Sequence, residues 1–388
     1  MKHASLSLLS LACLTAGAAA QTIHLVPQEH PTIQEAVDVA GANDIIIIGA
    51  GTYQEAVVVN AKSNLVIQGK GKVVIDPPSG NTGLTLDGCN NCNVEKIRVA
   101  GGQPYGILLV DTTDCGFSKC RVDDSATDGI RVEGGGDCSF DKCTVKNAGN
   151  DAISFTQSAG SFTHDNLVTK CKLIAAQVDA IDVEGNDNTF DKCTILKPLG
   201  SGFTVDDITN GHDNELTNSK VIKPGGSGVV ITGDNNAVRA CRLIGAGDRG
   251  VHVLQGSFNT VEDCKVPKPA EDGIRSEPGC GQVNVTGCKI PKPGDDGVEM
   301  DGDDAVVDGN RVTGALDDGF EIDGLNGSYT NNIANGSKDD GFVLSEGEGN
   351  TLTGNKAHGN KSFDLDDIIG EGLNDWDNGT NSFGKTGP

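Results

Sequence analysis

The chain has 388 residues, a formal net charge of −25 at pH 7, 54 glycines and only 4% aromatic residues. An acidic protein of this kind lacks the basic footprint that a phosphate backbone requires, so no nucleic-acid partner is expected. Scarce aromatic residues argue against an aromatic sugar-stacking platform. An anionic sugar is compatible with the composition, because local basic stripes can occur on an acidic protein.

The first 20 residues have the pattern of an export signal. An apolar stretch (6–14) follows a basic start, and Ala18 and Ala20 fit a small-residue cleavage motif before Gln21. No later segment approaches the roughly 20 apolar residues that span a bilayer. We therefore expect a soluble monomer without a membrane span, secreted or periplasmic after cleavage near Ala20.

Residues 21–80 predict an N-terminal cap and the first coils of a stacked fold. A short strand is followed by a helical run from Thr32 to Ala40, in which Ile33 and Val37 share one face with Ala40. Short β-rich runs punctuated by Gly or Asn come next. An amphipathic helix here would close the open end of the first coil.

From 81 to 360 the chain repeats, and one small residue marks every repeat. The successive gaps between these residues are 23, 23, 28, 22, 26, 22, 23, 24, 22 and 22, which indicates stacked units. Each unit is too short for a strand–helix–strand element of about 30 residues, but it accommodates three short strands and three turns. The marking residues are Gly106, Gly129, Ala152, Ala180, Gly202, Gly228, Gly250, Gly273, Gly297, Gly319 and Gly341.

Cysteines recur at one inward position of the repeat. An even number of cysteines in an exported protein suggests disulfides. However, coils about 4.8 Å apart would stack these thiols, and packing as small buried hydrophobes is the preferred interpretation. A pair among Cys92, Cys115 and Cys138 at the turn could oxidise, while neither a catalytic thiol nor a zinc site is expected. The inward column comprises Cys120, Cys143, Cys171, Cys193, Cys241, Cys264 and Cys288, with Ser219 filling one gap.

These features resemble the right-handed parallel β-helix superfamily that includes pectate lyases, polygalacturonases and mannuronan epimerases. The resemblance covers the segment TIQEAVDVAGANDIIIIGAGTY and nearly every repeat to Gly359. It implies an all-β, single right-handed parallel β-helix of about a dozen coils with an N-terminal helix cap, and 361–388 as a C-terminal cap. It also implies an exported carbohydrate-active protein, whose substrate groove would follow one strand column and the loop after it.

The strand after the cysteine column carries Lys or Arg at its outward position in most repeats, and a Lys-Pro corner recurs beyond it. A basic stripe on an acidic protein suits uronate carboxylates or sulfates, so the predicted partner is an acidic polysaccharide. The candidate substrate-binding residues are Arg242, Lys268, Lys289, Lys292 and Arg311.

The turn that follows is acidic in most repeats, and one repeat breaks its pattern with Arg249 and His252. The next repeat places Arg275 directly beside His252. A His or Lys base beside an Arg is what lyase or epimerase chemistry on a uronate requires, because a proton α to a carboxylate must be removed. The candidate catalytic residues are His252, Arg249, Arg275 and Lys265. Stacked carboxylates invite a cation, so calcium is a candidate cofactor, with Asp272, Asp295 and Asp296 as its ligands.

Two other functions stay open at this point. The stretch LDDGFEIDG resembles locally the Asp pair of polygalacturonases, which makes an inverting hydrolase an alternative. The GHG and RxK elements of those hydrolases are absent, as are the DPHD motif of mannuronan epimerases and the WxDH and RxPxxR motifs of common pectate lyases. The third alternative is a non-catalytic binding or cell-envelope protein whose charged ladders are scaffold.

Overall fold

The computed structural model describes residues 21–158, 161–206, 211–369, 373–376 and 380–387, so the predicted signal segment 1–20 lies outside the described residues. The chain forms a parallel β-helix, wound right-handed as connections between parallel strands are. Equivalent strands of successive coils pair in parallel, as Val251–Gln255 does with Ile274–Ser276. The predicted fold is therefore confirmed.

Equivalent strands stack into three columns along the solenoid. Column 1 is a 16-stranded sheet in which 14 strands follow one another, slightly more than the dozen coils expected. Its strands are Val57–Asn60, Leu84–Asp87, Ile107–Thr113, Ile130–Gly136, Ile153–Thr156, Ile181–Val183, Phe203–Val205, Val229–Thr232, Val251–Gln255, Ile274–Ser276, Val298–Met300, Phe320–Ile322, Phe342–Leu344 and Asp366–Asp367, with Thr163–His164 and Gly185–Asn186 beside this path.

Columns 2 and 3 share a 22-stranded sheet that bends at a corner, and a five-stranded sheet continues column 3. Column 2 consists of Ile23–Val26, Ile45–Ile48, Gly116–Ser118, Ser139–Asp141, Leu167–Thr169, Thr189–Asp191, Glu215–Thr217, Ala237–Arg239, Asn259–Glu262, Val283–Thr286, Val306–Asp308, Ser328–Thr330 and Thr351–Thr353. The strands Val66–Ile75 and Asn93–Ala100 run through both columns. Column 3 consists of Gly51–Tyr53, Arg121–Asp123, Thr144–Lys146, Lys172–Ile174, Thr194–Leu196, Lys220–Ile222, Arg242–Ile244, Lys289–Pro291, Arg311–Thr313, Ile333–Asn335, Lys356–His358 and Ser382–Phe383.

The corners between columns are made by residues in the left-handed backbone conformation. In one coil these are Asp187, Lys192 and Lys197, with φ of 57°, 55° and 51°. A buried asparagine ladder follows the first of these corners, where Asn188 Oδ1 accepts the backbone N–H of Asn166 at 3.1 Å. Each buried backbone donor at the bend is thereby satisfied by the next coil.

The small residue that opens column 1 is required by close packing. A Cβ on Gly273 would lie 2.3 Å from Ile290 Cγ2 and 2.4 Å from the carbonyl oxygen of Gly297. Both distances are far shorter than a van der Waals contact, so this position of the repeat is dictated by the fold.

The core is filled by aliphatic, phenylalanine and cysteine side chains that point inward from every strand. All twelve cysteines of the described residues are buried free thiols, including those at the turn. Cys264 Sγ lies 3.4 Å from the carbonyl oxygen of Val238 in the preceding coil, and burial raises the pKa of Cys193 to about 11. These thiols therefore pack as small buried side chains.

The predicted cap helix spans Ile33–Val39, with Thr32 as N-cap and Ala40 as C-cap. Its first backbone N–H groups donate to the carboxylate of Glu55, at 2.8 and 2.9 Å. The helix ends one residue inside the predicted run on each side, because the flanking residues are extended caps.

The segment expected to form a C-terminal cap adds a further coil. Asp366–Asp367 pairs with column 1, and Ser382–Phe383 pairs with Lys356–His358 in column 3. Phe383 also contacts Phe342, with ring centroids 5.5 Å apart.

Candidate functional site

The acidic turn before column 1 has a structural role in holding successive coils together. Asp296 Oδ1 accepts the backbone N–H of Asp318 at 2.7 Å, and Asp318 Oδ1 accepts that of Asp340 at 2.6 Å. The second aspartate of each pair thus ties one coil to the next. Repetition of the pair along the chain is explained by this bond, so function has to be sought where the repeat changes.

Arg249 stands where the turn changes, and its guanidinium crosses to the next coil. Its Nε lies 2.9 Å from Asp272 Oδ2, and its Nη2 lies 3.2 Å from Glu271 Oε2. Asp248 Oδ1 lies 3.5 Å from Nη1. Arg249 therefore offsets part of the negative charge of the acidic turn beside it.

His252 and Arg275 lie directly opposite each other on neighbouring strands of column 1, as the sequence predicted. His252 is 8% exposed, and its Nε2 lies 2.6 Å from Glu277 Oε1. The Nε of Arg275 lies 3.2 Å from the same oxygen. Burial acts to raise the pKa of Glu277, but the hydrogen bond from His252 and the charge of Arg275 hold that pKa below its usual value.

The guanidinium of Arg275 is occupied by carboxylates of its own chain. Its Nη1 lies 2.7 Å from Glu299 Oε2, and its Nη2 lies 2.9 Å from Asp301 Oδ2. Asp272 Oδ2 is 4.0 Å from Nη1. Arg275 therefore acts as a counter-ion that gathers these carboxylates around His252, rather than offering a free fork to a ligand.

Carboxylate oxygens cluster beside this pair. Those of Asp272, Asp296 and Glu299, all buried, lie within 4.8 Å of one another, and a second cluster joins Asp295 and Asp296 to Asp317. Burial, reinforced by neighbouring carboxylates, raises the pKa of Asp296 and Glu299. An all-oxygen, mutually repelling donor set fits a hard cation such as Ca²⁺. The three predicted cation ligands are thus divided between two clusters.

Glu299 is not among the residues that the sequence predicts as cation ligands, but its carboxylate lies in the first cluster. It lies in the strand after the turn, three residues beyond Asp296, and the alternation of that strand directs it outward. The period-two pattern contained this signal, but only the packed structure shows that an outward strand residue reaches the turn.

The structure does not bring Lys265 together with His252. Lys265 lies in column 3, between Arg242 and Lys289, and among the described residues its side chain forms no ion pair or hydrogen bond with the column 1 cluster. The predicted substrate-binding residues also lie in column 3 or at the corner after it. All of them are exposed: Arg242, Lys268, Lys289, Lys292 and Arg311.

Fold and site together define a right-handed parallel β-helix protein with a cluster of acidic and basic groups on one strand column. The chain belongs to the family described as "Right handed beta helix region", whose model matches residues 42–179, 82–236, 179–300 and 272–381. No curated protein sequence matches the chain. Within the described residues, no helix has the length and apolar character that crossing a membrane requires.

Several solved structures share the fold. The catalytic domain of a GH87 α-1,3-glucanase in complex with nigerose is 15% identical with a TM-score of 0.55, and the match covers 73% of this chain but only 66% of that domain. The A-module of the mannuronan C-5 epimerase of Azotobacter vinelandii is 16% identical, with a TM-score of 0.54 over 85% of this chain and 91% of the module. PfbA, a surface adhesin of Streptococcus pneumoniae, is 10% identical, with a TM-score of 0.52 over 86% and 89%. At these identities the likeness concerns the fold alone.

Proposed function

We propose that this protein is exported and acts on an acidic, uronate-containing polysaccharide by lyase or epimerase chemistry at column 1. The observation that carries the proposal is the contact of 2.6 Å between His252 Nε2 and Glu277 Oε1, beside Arg275 and a buried carboxylate cluster. Solved structures with this fold include a glucanase domain and a mannuronan epimerase module, which favours a carbohydrate as substrate.

His252 would remove the proton α to the uronate carboxylate. Glu277 accepts a hydrogen bond from Nε2 in the neutral tautomer that suits a base, which leaves the lone pair of Nδ1 to take the proton. The carboxylate of Glu277 also stabilises the imidazolium that forms. Arg275 fixes Glu277 through the same oxygen, so it positions the base without touching substrate.

Asp272, Asp296 and Glu299 would hold the cation. Their oxygens converge within 4.8 Å, and burial, together with the neighbouring carboxylates, raises the pKa of Asp296 and Glu299. Bound Ca²⁺ would supply positive charge for the uronate carboxylate and for the enolate that proton removal creates. Without it, the acidic turn would repel an anionic substrate.

A glycoside hydrolase is the second candidate, and the pKa of Asp296 favours it. Burial raises that pKa far enough to keep the carboxyl group protonated at neutral pH, close to other carboxylates. A protonated and an ionised carboxyl group at one site are the pair that glycoside hydrolysis uses. Such an enzyme would release reducing ends without forming unsaturated uronate.

Incubation with alginate, pectate and glycosaminoglycans tests the proposal. We expect unsaturated uronate or a changed uronate epimer ratio, and a rate that chelation lowers. His252→Gln should lower the rate by at least about 100-fold, as loss of a general base does. His358→Gln, an exposed histidine in column 3, is the matched control and should leave the rate unchanged.

Two results would favour one of the other functions. Reducing ends without unsaturation or epimerisation would indicate the hydrolase. No chemical change in any of these polymers would favour the non-catalytic binding or cell-envelope protein.

A further inference from the structure

Column 3 carries a row of cations on five consecutive coils. In this basic row each side chain lies directly opposite the next in the strand register, and neighbouring strands are about 4.8 Å apart. All five side chains are exposed. The basic row consists of Lys220, Arg242, Lys265, Lys289 and Arg311.

The positive charges of the basic row are not paired with carboxylates of the described residues. Within the described part of the chain, none of its members forms an ion pair, although other cations do, including two on earlier coils of column 3. Arg98 and Arg121 share the carboxylate of Asp123, and Arg239 bridges Glu215 and Glu262.

Like charges directly opposite one another in a sheet destabilise it. A chain with a net charge of −25 has carboxylates enough to interleave with its cations, as it does around Arg121 and Arg239. Five uncompensated cations in register are therefore a cost to the fold that binding of a polyanion would offset.

An apolar strip runs beside the basic row, with lysines on its far side. The outward residues two positions after the basic row are half-buried and apolar: Ile222, Ile244, Pro267 and Pro291. Exposed corner lysines follow them at Lys223, Lys268 and Lys292. We call the basic row, the apolar strip and the corner lysines the column 3 ribbon.

Two grooves follow the column 3 ribbon. One, of about 200 Å³, is lined by Lys265, Lys289 and Arg311 with Pro291. A larger one, of about 530 Å³, is lined by Lys268, Pro269, Lys292, Pro293, Leu316 and Lys338, among others. Positive charge beside apolar walls suits a sugar ring that presents a carboxylate on one edge and C–H groups on its face.

We propose that the column 3 ribbon is an anchoring site for a linear polyuronate, which lies along the solenoid axis with about one sugar carboxylate per coil. The choice of a uronate polymer rests on the proposed function, but binding at the ribbon does not require the chemistry of His252. The ribbon lies on another column, across the acidic turn that contains Glu271 and Asp272. The row is narrow and has acidic neighbours, which suits a single flexible chain better than a nucleic-acid duplex.

A triple substitution tests the ribbon. Lys265→Gln, Lys289→Gln and Arg311→Gln together should weaken binding of polygalacturonate at least tenfold and flatten its salt dependence. The matched control changes the same number of charges at exposed lysines elsewhere: Lys119→Gln, Lys142→Gln and Lys170→Gln. The control should bind within twofold of the unsubstituted protein, and circular dichroism should show both variants folded.

The length of the ligand gives a second readout. With about one sugar per coil and five coils in the basic row, the affinity for oligouronates should rise with length up to about five sugars and then level off. A triple variant that binds the polymer as tightly as the unsubstituted protein would overturn the proposal. Equal binding of duplex DNA, or tighter binding of a sulfated glycan, would overturn the choice of a uronate ligand.

Two variants separate binding at the column 3 ribbon from the chemistry proposed for His252. The triple ribbon variant should still turn over a short oligouronate. By contrast, His252→Gln should bind the polymer normally but turn over neither the polymer nor the short oligouronate. Loss of turnover of the short oligouronate in the ribbon variant would contradict a separate anchoring site.

Discussion

Arg275 is the counter-ion on which the column 1 cluster depends. Its side chain is 23% exposed, while those of Glu299 and Asp301, to which it is bonded, are each 9% exposed. Arg275→Met keeps the aliphatic stem and removes the charge, so it leaves Glu277, Glu299 and Asp301 without their shared partner. We expect this substitution to be strongly destabilising.

The loss of stability depends on how readily these carboxylates become protonated once their partner is removed. Removing one partner of a buried ion pair costs about 3–5 kcal/mol. Burial already raises the pKa of Glu299 and Asp301, so protonation relieves part of that cost. We therefore expect a loss of about 3 kcal/mol in the free energy of unfolding at pH 8. The loss should be smaller at pH 5, where these groups are protonated more readily.

Thermal unfolding followed by circular dichroism measures this effect. For a chain of this size, the expected loss corresponds to a fall in Tm of about 4 °C. Arg242→Met is the matched control, because Arg242 is exposed and forms no ion pair among the described residues, and its Tm should stay within about 1 °C. Adding Glu299→Gln and Asp301→Asn to Arg275→Met should restore part of the stability. Equal Tm values for the two Met variants at pH 8, or a larger effect of Arg275→Met at pH 5, would contradict the role of Arg275 as a counter-ion.

Three further predictions concern the scaffold. Gly273→Ala should cost about 1–3 kcal/mol, because its Cβ would overlap Ile290, and a Tm equal to that of the unsubstituted protein would contradict this. Asn310→Ala should cost about 2 kcal/mol and speed hydrogen exchange at the Cys288 amide, which donates to Asn310 Oδ1 at 2.8 Å; unchanged exchange there would be evidence against the ladder. Burial raises the pKa of Asp318 to about 8, so the stability linked to its protonated form is present below about pH 4 and is lost as the pH rises through 8. Between pH 5 and pH 8.5, in the presence of a chelator, the Tm of Asp318→Asn should therefore fall less than that of the unsubstituted protein. An identical dependence of Tm on pH in both proteins would contradict the raised pKa of Asp318.

The fold could be predicted from the sequence because one unit of information is repeated many times. A small residue is needed at Gly273 and its equivalents because the backbone of the next coil lies close to it, and the repeated Asn forms hydrogen bonds between coils at a corner. Each is a local requirement that every coil must meet. The ends are less predictable, since the tail after 360 loses the pattern but still pairs as a coil.

The candidate site could be predicted only in part. The break in the repeat correctly located His252 opposite Arg275, because register follows from the period. The sequence could not indicate that Arg275 is occupied by Glu277, Glu299 and Asp301, since that depends on how outward side chains lean across coils. Lys265 was grouped with His252 because linear spacing does not show that columns 1 and 3 present different faces.

An NMR measurement on a polyuronate incubated with the protein and Ca²⁺ tests directly whether His252 acts as a base on a uronate. We expect new signals of unsaturated or C5-inverted uronate, which His252→Gln abolishes and His358→Gln leaves unchanged. Reducing ends without either signal, or signals that persist in His252→Gln, would contradict this role of His252.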